Sequence, residues 1–269
     1  MKSPRSEVER WLWIPSLQQA PDLYAGEARF TAGGERGLLW VYERAGQQLV
    51  DSIHRGTGSS TCPVVPNMAS YARDTRDRSP IVAMLQRYLR LNPIEMGRVA
   101  RSNLPKLPDI LGKDFSTGVL ILAEMEILKC RRYQPEIVYL NNQIVDLAMA
   151  FDNQKLFVEF ERLVRRRYGL GVGLVTYNYS WLAPKLAQWG IGVERIIAPF
   201  NERGYLMHRS QEECERLVPA YRAAIIASEF DAGGTLSEAE ALAYVQGLGI
   251  QAVASRWSDG RRATPGIRS

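Results

Sequence analysis

An α/β barrel is the fold class that the sequence predicts, and three observations favour it. Apolar runs of strand length alternate with helical segments from residue 115 onward. The strand candidates are apolar on both faces, which is typical of a parallel sheet covered by helices. The length of 269 residues suits a TIM-type (β/α) barrel, and no GxGxxG follows a strand, which disfavours an open dinucleotide-binding sheet. Two variants stay open: an incomplete barrel, and a barrel with a helical insertion after an early strand.

The regular part of the chain supplies most of the predicted elements. Strands are expected over 117–127, 135–142, 171–178, 193–201, 223–230 and 250–257. Between them, apolar residues at spacings of three and four predict a long helix over 143–168, and a further helix covers 180–190. Ser210 with Glu213 and Ser237 with Glu240 form capping boxes that begin the last two helices.

The first 115 residues are less regular. Residues 28–37 suit a hairpin or a first strand, 38–56 a helix, and 61–67 a short strand. Residues 79–114 are interrupted by prolines and predict a helical insertion, and the polar tail 258–269 is expected to be mobile. The whole chain, 1–269, is expected to form one barrel domain whose missing strand lies in the N-terminal region, unless the barrel is incomplete.

Composition limits the function classes. A formal net charge of +5 fits an anionic small-molecule ligand, but the basic residues are not interleaved with aromatics as in a nucleic-acid surface. The three cysteines are far apart and predict no disulfide framework. No segment reads as a signal peptide or a membrane span, so a cytoplasmic protein is expected, and a homo-oligomer is compatible with the sequence.

Several segments resemble the aldo-keto reductase superfamily, whose members are barrel enzymes that use NADPH without a GxGxxG motif. The stretches "EIVYLNNQIVD", "GLVTYNYSWLAPKLAQWGI" and "ERIIAPFNERG" are similar to successive strand–helix units of that family. "IQAVASRWSDGRR" occupies the place where family members bind the cofactor's phosphates. The resemblance covers about half of the chain and implies the barrel fold and a site for NADPH.

The family's catalytic residues are an Asp, a Tyr, a Lys and a His at four strand ends. Asn67, Tyr71, Glu124 and Asn141 occupy the corresponding places in this sequence. Only the tyrosine is retained, and a carboxylate in place of the lysine would raise the pKa of that tyrosine. The resemblance therefore implies a divergent barrel in which the catalytic tetrad is not kept.

The ends of the predicted strands supply the candidate site, because barrels bind ligands at the carboxyl ends of their strands. Glu124 and Glu126 would share one strand face, so that repulsion and burial raise the pKa of one carboxyl group. An ion pair with a neighbouring cation is the alternative for Glu124 and for Glu229, and helix capping is the alternative for the asparagines. The catalytic candidates are Glu124, Glu229 and Tyr71; the substrate-binding candidates are Asn67, Asn141, Tyr177, Asn178, Asn201 and Arg256.

Three functions stay open at this point. The first is a metabolic or biosynthetic enzyme that transfers protons through carboxylates and tyrosine, as lyases, isomerases and cyclases do. The second is an NADPH-dependent reductase, and the third is a non-catalytic binding protein. No HxH, HExxH or DxD motif is present, so no metal site is expected.

Overall fold

Eight parallel strands close into a barrel in which each strand pairs with its neighbours in sequence order, β1 to β8. The computed structural model describes residues 8–14, 36–43, 46–57, 60–76, 86, 89, 91–103, 114–222 and 224–256. The predicted α/β TIM-type barrel is therefore confirmed, and the incomplete barrel is wrong. Most of 28–37, much of 79–114 and the tail 258–269 lie outside the described residues, so the expectations for them stay predictions.

The strands are β1 Glu9–Ile14, β2 Gly37–Val41, β3 Ser60–Val65, β4 Ile137–Leu140, β5 Gly171–Val175, β6 Arg195–Pro199, β7 Ile225–Ser228 and β8 Ala252–Arg256. The helices described here are α1 Gln47–Thr57, α2 Met68–Thr75, α3 Pro93–Asn103, α4 Phe115–Cys130, α5 Asn142–Ala150, α6 Gln154–Glu161, α7 Tyr179–Trp189, α8 Gln211–Tyr221 and α9 Glu238–Gly247. A π-helical turn, Arg162–Arg167, continues α6.

The N-terminal region supplies the missing strand, as expected. β1 pairs with β2 on one side and with β8 on the other, so that Trp13 stands in register with Arg256. The helix predicted over 38–56 is wrong in its first part, because Gly37–Val41 is a strand and only Gln47–Thr57 is helical. All five residues of β2 are buried, and a short apolar run of this kind suits either structure.

The strand predicted over 117–127 is wrong. This stretch belongs to α4, and the side chain of Asp114 caps the helix by accepting a hydrogen bond from the Thr117 amide. Apolar residues on one side of α4 pack on the main core, and those on the other side form a second cluster with residues of α3. Because both sides are buried, the helix lacks the polar stripe that would have distinguished it from a strand.

The helix predicted over 143–168 is interrupted. α5 ends at Ala150, Asp152 adopts a left-handed backbone with φ of 51°, and Asn153 caps α6. The predicted strands 135–142, 171–178, 193–201, 223–230 and 250–257 are confirmed as β4 to β8.

Two aromatic side chains in the largely aliphatic barrel interior face glycines on neighbouring strands. Trp11 and Tyr139 belong to the interior cluster and are 2% and 0% exposed. A Cβ atom at Gly37 would lie 2.5 Å from the Trp11 ring, and one at Gly173 would lie 2.3 Å from the Tyr139 ring. The glycines on β2 and β5 therefore leave the space that these two rings occupy.

The three cysteines, Cys62, Cys130 and Cys214, are free and buried, in agreement with the absence of a disulfide framework. Burial raises the pKa of all three thiols, so they are held in the protonated, weakly nucleophilic form.

Gly173→Ala should destabilise the barrel by about 1–3 kcal/mol, because the added methyl group collides with an enclosed ring. Chemical denaturation measures the free energy of unfolding. Gly97→Ala is the matched control, since nothing lies within 4 Å of a Cβ atom there and alanine favours the helix by up to about 1 kcal/mol. Equal stability of Gly173→Ala and the wild type would contradict this account of the interior.

Candidate functional site

The carboxyl ends of the strands meet at one mouth of the barrel. Alternation along each strand places Asn141, Tyr177, Ser228 and Arg256 on the same face as the interior residues Tyr139, Val175, Ile226 and Ala254. Trp13 on β1 packs against the interior cluster and is the register partner of Arg256. These side chains line the mouth.

Glu229 and Arg256 form an ion pair at the ends of β7 and β8. Oε1 of Glu229 lies 2.5 Å from Nη2 of Arg256. The glutamate side chain is 10% exposed, whereas the arginine side chain is 65% exposed. Burial disfavours the charged guanidinium, but the neighbouring carboxylate outweighs it and raises the pKa of Arg256. The pair therefore presents an accessible cation backed by an enclosed carboxylate.

The backbone of Glu229 is left-handed, with φ of 49°. A non-glycine residue in this region costs on the order of 1–3 kcal/mol, and such residues cluster at functional sites. The conformation follows the last residue of β7 directly and starts a turn in which Ala232 also has a positive φ. It holds the carboxylate against Arg256 rather than letting the chain continue as a strand.

Tyr177 adds a phenol beside this pair. Burial raises the pKa of Tyr177, the negative charge of Glu229 raises it further, and Arg256 opposes the change. The phenol is half-buried and keeps its proton at neutral pH. Its hydroxyl has no hydrogen-bond partner within the part of the chain that the structure describes.

Asn201 is a buried residue whose side chain is hydrogen-bonded to backbone groups around the candidate site. It is 0% exposed, and its amide donates to the carbonyl groups of Tyr205 (2.8 Å) and Glu229 (3.1 Å). Its side-chain oxygen accepts from the Tyr205 amide at 2.8 Å. Asn201 therefore fixes the β6–α8 loop and the strained turn at Glu229, and its side chain is occupied by protein partners.

Asn178 lies beside a carboxylate that the sequence did not single out. Asp146 on α5 accepts hydrogen bonds from the Thr176 hydroxyl (2.5 Å) and the Tyr177 amide (3.3 Å), and from the side chain of Asn178. Burial raises the pKa of Asp146, although these hydrogen bonds oppose the change. The carboxylate fixes the end of β5 and thereby the backbone of Tyr177.

Asn67 and Asn141 cap helices, which is the alternative that the sequence left open for the asparagines. Asn67 accepts from the Ser70 amide and donates to the carbonyl of Tyr42. Asn141 accepts from the Gln143 amide at 2.9 Å, while its Nδ2 group has no hydrogen-bond partner in the described segments. Asn141 is therefore the asparagine that keeps a donor available at the mouth.

Glu124 and Tyr71 are not at the mouth. Glu124 was expected at a strand end, but it lies on α4 with 2% exposure. It accepts hydrogen bonds from Asn103 (2.9 Å) and Tyr168 (2.8 Å), and it pairs with Arg167 at 2.8 Å. Glu126, on the same helix, accepts from the Asn67 amide, and Tyr71 packs on the α3–α4 cluster. The placement of Glu124 at a strand end is wrong, because the strand predicted over 117–127 is a helix. Tyr71 follows the confirmed strand β3, but it lies on α2 and packs on the α3–α4 cluster.

Sequence reasoning also missed Trp13, Ser228 and Asp146. Trp13 could have been found only by recognising β1, whose burial pattern is irregular. Ser228 lies two residues after the interior residue Ile226, so its side chain lies on the same side of β7, but no sequence motif marks it. Asp146 lies in mid-helix and acquires its environment from β5, which is distant in sequence.

Two further findings concern the described part of the chain. It holds no group of three or more His, Cys, Asp and Glu side chains that could bind a metal ion. None of its helices has the length and apolar character needed to cross a membrane.

The chain matches no known protein-family model, no curated protein and no solved structure. The resemblance to aldo-keto reductases therefore depends on the quoted segments alone, and what the structure shares with that family is the closed parallel barrel.

Glu124→Gln should lower the free energy of unfolding by roughly 2–3 kcal/mol, because the new NH2 group must face donors of Asn103, Tyr168 or Arg167. The partial exposure of Arg167 keeps the value below that of a fully enclosed pair. Glu161→Gln is the control: its ion pair with Arg165 is partly exposed, and its loss should cost less than about 0.5 kcal/mol. Similar losses in both variants would contradict the structural role of Glu124.

Asp146→Asn should change how stability depends on pH. The pKa of Asp146 is higher in the folded state than the ordinary value of 3.8, so the folded protein binds this proton more tightly. The wild type should therefore gain stability relative to Asp146→Asn as the pH falls from about 7 towards about 4, and lose it as the pH rises through the folded pKa. Denaturation curves across this range measure the difference, and a constant difference would contradict the effect of burial.

Proposed function

We propose that this protein is a small-molecule enzyme that transfers protons at the mouth formed by β5 to β8, acting on a substrate with a carboxylate or phosphate group. The observation that carries the proposal is the Glu229–Arg256 pair near the hydroxyl of Tyr177, which has no hydrogen-bond partner among the described residues. The three side chains come from three different strand ends, as in barrel enzymes generally.

Arg256 is the group that binds the substrate's anion. Its guanidinium is 65% exposed and offers donors that match a carboxylate or phosphate bidentately. The net charge of +5 also favours anionic ligands. An incoming anion competes with Glu229 for the guanidinium, so substrate binding frees a carboxylate next to the bound molecule.

Glu229 then acts as the general base and Tyr177 as the general acid. The Glu229 carboxylate takes a proton from a carbon next to a carbonyl group and becomes a carboxylic acid. The neutral phenol of Tyr177 donates a hydrogen bond to the carbonyl oxygen, on which negative charge develops. Return of the proton to a neighbouring carbon gives an isomerase, and departure of a leaving group gives a lyase.

An NADPH-dependent reductase is the second candidate, and the exposed arginine at the end of β8 favours it. In the family that the sequence resembles, cofactor phosphates bind after this strand. The residues in the places of the family's tetrad, however, do not converge, because Glu124 and Tyr71 lie on helices outside the mouth. This alternative requires a cofactor site combined with catalytic residues that differ from those of the family.

A binding protein without catalysis is the third candidate. The cytoplasmic location and the homo-oligomer stay predictions.

Arg256→Gln should weaken the binding of small carboxylates and phosphate monoesters by about tenfold or more, because a charge-assisted bidentate contact is lost. A ligand panel followed by thermal unfolding measures the binding. Arg10→Gln is the control, since Arg10 also pairs with a glutamate, Glu238, and neither residue of this pair lines the mouth. Equal binding by Arg256→Gln and the wild type would rule out the anion site.

Glu229→Gln should abolish turnover, with a loss of at least about a hundredfold, because the amide cannot accept the proton. Metabolite extracts incubated with the purified protein and followed by mass spectrometry reveal a consumed substrate. Glu238→Gln should keep full activity. Tyr177→Phe should keep binding and lose turnover, and consumption of the substrate by both site variants would contradict the proton-transfer roles.

A calorimetric titration with NADPH separates the two enzyme classes. Micromolar binding that is lost in Arg256→Gln would support the reductase. Absence of binding at about millimolar cofactor would remove it.

A further inference from the structure

A groove separates α2 from α5 on the outside of the barrel, next to the ends of β3 and β4. Its volume is about 620 Å³, within the range of small-molecule sites. Small side chains, Ala69 and Ala72, form one wall, and Ile144 and Leu147 form the other. None of the mouth residues Tyr177, Glu229 and Arg256 lines it, so the groove is distinct from the candidate active site.

The apolar surface of this groove is open to water. Ile144 is 1% exposed, but Leu147 on the same face of α5 is 41% exposed. Phe151, one turn further, is 75% exposed. Residues at spacings of three and four share one helical face, so these three side chains form a continuous apolar stripe that begins in the groove.

The charged side chains that line the groove, among the residues that the structure describes, are both cationic. Arg73 and Arg76 line it, and the lining residues include no carboxylate. Arg73 is compensated by Glu43, whose Oε1 atom lies 2.6 Å from Nη2 of Arg73. Arg76 is exposed, and its side chain has no partner within the described residues. The guanidinium of Arg76 is therefore available to a ligand in the groove.

We propose that this groove binds an alkyl carboxylate, with the carboxylate at Arg76 and the alkyl chain along Ala69, Ala72 and Leu147. An apolar body and a single negative charge complement a groove that is lined mainly by apolar side chains and in which Arg76 has no partner among the described residues. Each buried methylene group strengthens binding, so decanoate should bind about tenfold more tightly than octanoate.

Calorimetric titration of the full chain with octanoate and decanoate, kept below micelle-forming concentrations, tests the site. The matched probes are octan-1-ol, which lacks the charge, and octyltrimethylammonium, which reverses it. Octanoate should bind at least about fivefold more tightly than the alcohol, and the cation should not bind.

Two exposed positions provide the variants. Arg76→Gln should weaken decanoate binding by about tenfold, to the level expected for an uncharged partner. Ala72→Leu should weaken binding by narrowing the groove along the path of the alkyl chain, and the helix propensity of leucine is close to that of alanine. Arg216→Gln, an exposed arginine on α8, is the matched control and should bind decanoate like the wild type.

Three results would overturn the proposal. They are the absence of octanoate and decanoate binding to the wild type, equal affinity for the alcohol and the carboxylate, and loss of binding in Arg256→Gln but not in Arg76→Gln. The last result would place the alkyl carboxylate at the barrel mouth. Circular dichroism and thermal unfolding of each variant confirm that any loss comes from the groove.

Discussion

Closure of the strand ring is the constraint on which the rest of the structure depends. β1 pairs with both β2 and β8, so the first strand is hydrogen-bonded to the last and the sheet is closed. This pairing brings Trp13 beside Arg256 and completes the mouth whose other residues follow β4, β5 and β7. Without β1, the sheet would have two open edges, and the exposed backbone groups of β2 and β8 would need other partners.

Closure also dictates how the interior is filled. Eight tilted strands leave room only for layers of side chains, so a large ring on one strand requires a small residue on its neighbour. Gly37 and Gly173 provide that space for Trp11 and Tyr139. The same packing leaves the hydroxyl of Tyr139 buried without a hydrogen-bond partner in the described residues.

The sequence predicted the second half of the fold because its signals are local. Ser210 and Ser237 cap their helices as the capping boxes indicated, and the apolar runs between them are strands. The first half was harder, since α4 is buried on both sides and β2 is apolar on both faces, so neither shows a period. Glu124 was misplaced for this reason, and its role as the acceptor of Asn103 and Tyr168 depends on contacts between distant segments.

Strand order was enough to place Tyr177, Glu229 and Arg256 at one mouth of the barrel, because the carboxyl ends of parallel strands lie at one face; that these residues form a functional site stays a prediction. Strand order could not distinguish asparagines whose side chains are hydrogen-bonded to backbone groups from those whose side chains face the mouth, because this depends on the hydrogen-bond partners of each side-chain amide. Asn201 is fully occupied, while Asn141 keeps one donor. The role of Asp146 could not be predicted from the sequence, because its hydrogen-bond partners lie at the end of β5, which is distant in sequence.

The pairing of β1 with β8 has a consequence for biosynthesis. β8 leaves the ribosome after every other strand, so the nascent chain carries β1 with one unpaired edge until translation has passed Arg256. The cation of the mouth, Arg256, is the last residue of the same strand. Completion of the candidate site and protection of the exposed edge of β1 therefore arise together, once β8 has been synthesised.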